Sequence, residues 1–171
     1  MTAMPRTVSW SAESPFRCEQ FHSAFSDEDY WLARLGQYDA GTDILDSLIV
    51  DGDGTVTVAT TLSVFGDRLP KMVTQLYRGD VKMVRHEKWT PVEGGPVRGQ
   101  INTTAPGVPL SVLTEALLTS ARDGSRLDYT TTVEVRVPFI GGKIESHIGS
   151  KVPEHIAETH RFTMAWIKGN A

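Results

Sequence analysis

His155 and Thr159 stand four residues apart in a segment whose other recurring residues, Ile144, Ile148, Val152, Ile156, Phe162 and Trp166, are apolar. At about 100° per residue all of them fall in one sector of a helix over Lys143 to Lys168. An imidazole and a hydroxyl therefore project from a face that is otherwise hydrocarbon. A polar group buried without a partner costs about 1–3 kcal/mol, so each needs one, supplied either by the protein's own core or by a bound molecule. A few polar groups in an apolar pocket also fix a ligand's orientation.

A second set lies on the segment Val81 to Trp89, where Val81, Met83, Arg85, Glu87 and Trp89 alternate onto one face of a strand. With that face inward, a guanidinium and a carboxylate enter the interior, where charge must be paired or neutralised. They form either a cross-strand ion pair near a rim or polar contacts to a ligand, unless a bulge turns both outward. Tyr129 shares the inward face of a later strand, either packing there or offering its hydroxyl. The candidate ligand contacts are thus His155, Thr159, Arg85, Glu87, Tyr129 and Trp89, with Ile148, Val152, Met72 and Leu76 as apolar walls. In an enzyme, His155 or Glu87 would be the general base and Arg85 would stabilise a developing enolate.

Other chemistries have less support. His155 and His160 are five apart and diverge on a helix, and no His-Glu-x-x-His spacing occurs, so no metal is expected. Asp51-Gly52-Asp53-Gly54 looks like a calcium loop, but Val56 stands where the obligatory glycine belongs and Leu62 where the bidentate glutamate belongs. No Gly-x-Ser-x-Gly elbow or phosphate-binding glycine loop is present, and no cofactor is expected. The net charge of −4 and the scatter of 17 Lys and Arg argue against nucleic acid as a partner. No apolar run approaches the roughly 18 residues of a membrane span, and Met1 to Trp10 contains no apolar signal stretch. With a single cysteine, Cys18, set among Phe16, Phe21 and Phe25, these features lead to the expectation of a cytoplasmic protein without stable membrane insertion, its thiol serving packing.

At 171 residues, 40% hydrophobic and 22% charged, the chain suits one domain around a single core. The pattern predicts a strand over Arg6 to Glu13 and a helix starting at Ser14-Pro15. A second helix is predicted over Ser26 to Leu35, capped by Ser26. Strands follow at Ile44 to Val50 and Thr55 to Val64, joined by the Asp-Gly turn. Leu69, Met72, Val73, Leu76 and Tyr77 recur at helical spacing in Asp67 to Arg78, either as a lid or as a core helix. Strands near Val81 to Trp89, Val97 to Thr104 and Leu110 to Ser120 come next. A final strand alternates Leu127, Tyr129, Val133, Val135 and Val137 with polar residues. Pro153 inside the last helix predicts a kink near Gly149 to Pro153.

This order of elements, the Trp89-Thr90-Pro91 strand exit and the segment Pro138-Phe139-Ile140-Gly141-Gly142-Lys143-Ile144-Glu145 resemble the START-like (SRPBCC) superfamily, which includes polyketide cyclases, lipid-transfer domains and the birch pollen allergen. The resemblance is to a bacterial branch without assigned function and covers nearly the whole chain. It implies an α+β helix-grip fold: a seven-stranded curved antiparallel sheet around the long C-terminal helix, with two short helices between the first two strands and a ligand cavity between sheet and helix. The helical insert at 68–78 departs from many relatives. The implied function is that of a carrier or sensor for a hydrophobic or amphipathic small molecule or lipid. The alternatives are a cyclase- or aromatase-like enzyme, or a protein-interaction module using the insert or the Trp31 region.

Overall fold

The computed structural model describes residues 5–37, 43–64, 71 and 81–170. Seven strands, β1 (Arg6–Ser14), β2 (Ile44–Val50), β3 (Val56–Val64), β4 (Val81–Pro91), β5 (Val97–Ala105), β6 (Val108–Ala121) and β7 (Gly124–Val135), form one antiparallel sheet in the order β1-β7-β6-β5-β4-β3-β2. Two short helices, α1 (Cys18–Phe25) and α2 (Glu28–Leu35), sit between β1 and β2, and α3 (Gly141–Asn170) closes the chain. This is the helix-grip arrangement expected from the sequence. The insert at Asp67 to Arg78, with Met72 and Leu76, lies outside the described residues except for Lys71, which is helical and exposed.

Period-2 alternation accounts for the sheet. In β7, Leu127, Thr131, Val133 and Val135 are buried while Arg126 and Thr130 are exposed, so one face is dry and the other wet. The turn after β2 closes through Gly54 N–H donating to Asp51 C=O (3.0 Å), and Gly54 supplies the positive φ of 88° that a side chain would disfavour. First and last strands meet at one edge, Arg6 opposite Val133 and Ser14 opposite Ser125.

The helix starts differ from the sequence expectation, for local reasons. Ser14 ends β1 rather than capping α1, because its hydroxyl accepts the Phe16 N–H (3.1 Å) in a turn. The cap falls to Arg17, whose N–H donates to Gln20 Oε1 (2.8 Å). Ser26 finishes α1, its hydroxyl donating to His22 C=O (2.8 Å), and Asp27 caps α2 by accepting the Asp29 N–H (2.9 Å). Pro153 stands inside α3, which continues on both sides of it.

α3 lies across β1 and β7. Its second half joins α1 and α2 in an aromatic core of Phe21, Phe25, Tyr30, Trp31 and Trp89. Cys18 belongs to this core, where burial pushes its thiol pKa up, the opposite of what a reactive thiolate needs. The first half of α3 packs through Ile144, Ile148 and Val152 on Val133 and Val135. Between these two packed zones the helix and sheet do not touch everywhere.

Candidate functional site

A hollow of about 90 Å³ remains between α3 and the middle of the sheet. Its floor is one contiguous patch over four strands: Arg85 on β4 lies opposite Thr103 on β5, Thr103 opposite Val112 on β6, and Thr114 on β6 opposite Thr131 on β7. The Thr114 and Thr131 hydroxyls hydrogen-bond each other at 2.8 Å. Tyr129 and Ile101 complete the floor, and Val152, His155, Ile156 and Thr159 of α3 form the roof. Arg34, reaching in from α2, makes a side wall.

The structure thus brings His155, Thr159, Arg85, Tyr129 and Val152 to one place. Glu87 and Trp89 share the inward face but sit behind it. Glu87 is 2% exposed, its Oε2 lying 3.5 Å from Arg34 Nη1 and its Oε1 accepting the Trp89 indole N–H at 3.3 Å. Trp89 packs in the aromatic core beside a second hollow of about 10 Å³, room for at most one water. Ile148 packs in the apolar cluster at the start of α3 rather than on the hollow. Met72 and Leu76 lie outside the described residues.

Arg34 is the functional candidate the sequence reading passed over. It stands 5.0 Å over the Trp31 ring and is 13% exposed. Its signal was available: Arg34 follows Tyr30 and Trp31 by four and three residues, the spacing that puts it on their buried helix face. The floor threonines carried a similar signal, since alternation from Ile101 and Val112 leads directly to Thr103 and Thr114.

Two guanidiniums and burial set the electrostatics. Burial, then Arg85 and Arg34, push the His155 pKa down to about 4, so the imidazole is neutral at physiological pH. Burial pushes the Tyr129 phenol well above its ordinary range, leaving it a hydrogen-bond donor. One turn along, His160 is wedged between the Phe21 ring, stacked at 5.9 Å, and the Trp10 ring at 5.6 Å, and burial lowers its pKa too.

A pH dependence follows with a definite sign. Unfolded imidazoles take up a proton near pH 6.5. The folded His155 does so only near 4. Between these values the unfolded chain binds more protons, so stability falls as pH is lowered through this window. His155 should account for about 2 kcal/mol of the loss after the partial solvent access of its ring is allowed for. Urea unfolding at several pH values should show that loss shrinking in His155→Gln.

Among the described residues no helix is long and apolar enough to cross a membrane. Trp31 is 1% exposed and forms no surface patch, which removes it as a docking surface.

A sequence profile described as "Protein of unknown function (DUF2505)" matches residues 9–167. An uncharacterized protein of Mycobacterium tuberculosis (strain ATCC 25618 / H37Rv) is 38% identical over 173 residues, covering 98% of this chain and 99% of that one. Among solved structures, a protein of Thermus thermophilus superimposes with a TM-score of 0.58 at 15% identity, over 97% of this chain and 99% of that chain. Norcoclaurine synthase of Thalictrum flavum, in complex with dopamine and hydroxybenzaldehyde, superimposes with a TM-score of 0.52 at 14% identity, over 98% and 89% of the two chains. At such identities the structural likeness concerns the fold alone.

Proposed function

The chain belongs to the DUF2505 family of proteins of unknown function, and from that premise we propose that it binds a small amphipathic molecule with an acidic head group in the hollow between sheet and α3. The observation that carries this reading is the lining. Among the described residues that border the hollow are two arginines, Arg34 paired with Glu87 behind it, and no carboxylate, with Ile101, Val112, Val152 and Ile156 close by. An anionic head would meet Arg85 and Arg34, take hydrogen bonds from Thr159 and the Tyr129 hydroxyl, and leave its apolar remainder against the aliphatic side chains. Neutral His155 can accept or donate there without adding charge.

The volume limits the ligand. About 90 Å³ is well below the roughly 300–1,000 Å³ of pockets that take drug-sized molecules. The fit is to a head group or a short carboxylic acid, and a long acyl chain would have to extend out of the hollow. A proton-transfer enzyme is the second reading, favoured by Arg85, His155 and Tyr129 bordering one space. Binding is preferred because a histidine with a pKa about 4 is a weak base at neutral pH.

The test is a thermal-shift and calorimetric titration with a series of short and medium-chain carboxylates alongside their primary amides. The acids should raise the melting temperature and the amides should not. Arg85→Met should weaken acid binding by about tenfold or more, the usual worth of a charge-assisted hydrogen bond. Equal responses to acids and amides, or none at millimolar concentration, would discard the reading.

A further inference from the structure

Phe139, at the turn from β7 into α3, is fully exposed, with a relative exposure of 101% and a φ of 70°. Ile140 N–H donates to Pro138 C=O at 2.9 Å, closing a three-residue turn with Phe139 at its centre, and Gly141 N–H donates to Val137 C=O at 2.9 Å. Left-handed backbone is uncommon for a bulky residue and usual for glycine. Glycines stand two and three residues further on, at Gly141 and Gly142, yet phenylalanine occupies the position where glycine would be at ease. Backbone hydrogen bonds close the turn, but the fold gives the exposed ring no cover, which points to a role for it outside the protein.

The turn's place in the fold narrows the choice. Register puts the β5–β6 hairpin, where Ala105 faces Val108, and the end of β7, where Val135 faces Leu110, at the same end of the sheet. Arg85, Thr103, Val112 and Thr131 of the hollow lie in the half of the sheet nearer that end. Exposed cations gather around the turn. Arg136 precedes it, Lys143 follows on α3, and Arg6 is fastened to the helix through a hydrogen bond to Ser146. Two carboxylates stand near them, Glu134, 2.8 Å from Arg136, and Glu145, which is 1% exposed and accepts the Val135 N–H at 3.3 Å, while the first turn of α3 carries none. At the opposite end the turns carry Asp51, Asp53, Glu93 and Asp123 against Arg17 and Arg122. In a chain of net charge −4, the exposed side chains among the described residues at this turn are thus mainly cations around a protruding aromatic ring.

We infer that Phe139 is an interfacial finger that seats reversibly among the head groups of an anionic lipid surface, with Lys143 and its neighbouring cations against the phosphates. A ring on a crest needs a matched socket on a rigid protein but none on a lipid surface, and the cationic rim complements anionic head groups. This goes beyond the cavity reading and stands without it, because vesicle binding and acid binding are read with different probes.

The experiment is co-sedimentation of the full chain with vesicles of phosphatidylcholine plus phosphatidylglycerol, and with phosphatidylcholine alone. The wild type should bind the anionic vesicles preferentially, and binding should weaken with added salt. Phe139→Gly removes the ring and relaxes the backbone, so it should bind about tenfold less while its melting temperature holds or rises. Lys143→Glu, an exposed substitution, should weaken binding as well. Failure of the wild type to distinguish the two vesicle compositions overturns the inference, as does wild-type affinity in either variant.

Discussion

Glu87→Gln is expected to lower stability by about 4 kcal/mol, the cost of removing one member of a buried ion pair. The carboxylate is 2% exposed and lies 3.5 Å from Arg34 Nη1. Glutamine keeps the shape and an acceptor for the Trp89 indole but leaves the Arg34 guanidinium, itself 13% exposed, facing a neutral amide. Replacing both residues by methionine should cost far less than the two single changes added together, because neither member of the pair is then left inside without the other. Urea unfolding of the four proteins gives the coupling directly. A single-variant loss under about 1 kcal/mol would mean that water reaches the pair and that its attraction is screened as at a surface.

Gly99→Ala is expected to cost about 3 kcal/mol through overpacking. A Cβ at this position would lie 2.4 Å from Trp89 Cζ3 and 2.7 Å from both Cε3 and Cη2. The indole cannot retreat, since Trp89 is 1% exposed and its ring centroid is 4.5 Å from that of Phe25. β4 and β5 would have to separate, or the ring would have to leave its rotamer. The midpoint of denaturant unfolding should fall accordingly. Trp89→Leu in the same chain should make the alanine nearly harmless, a coupling measured by the same kind of double-mutant cycle as the one at Glu87. An alanine variant as stable as the wild type would show that the sheet yields locally.

Much of the fold was legible because alternation is a strong signal when one sheet face is dry. Leu127 through Val135 could be read residue by residue, and Asp51 to Gly54 announced its turn through chemistry that few other local structures use. Helix starts were not legible to the residue. Ser14 and Ser26 are both good capping residues, and only the competing hydrogen bonds to Phe16 and His22 decide against them. In the site, His155 and Thr159 stood out as polar residues in an apolar stripe. Arg34 did not, because its helix is short, it is separated from β4 by about two intervening strands, and a lone arginine on a short helix looks solvated until its aromatic neighbours are known to be buried. The placement of Glu87 behind the hollow depended on which inward side chain reaches α2, a distance no periodicity contains.

The pairing of β1 with β7 bears on how the molecule is made. β1 is made before the other six strands of the sheet, yet its hydrogen-bonding partner, β7, is made after all of them. At about 5–20 residues per second, that leaves it waiting on the order of ten seconds without its mate. α3 needs the same strand as part of its seat and is synthesised later still. The space beneath α3 therefore cannot exist until α3 itself has been made, and any molecule that occupies it must arrive after that point.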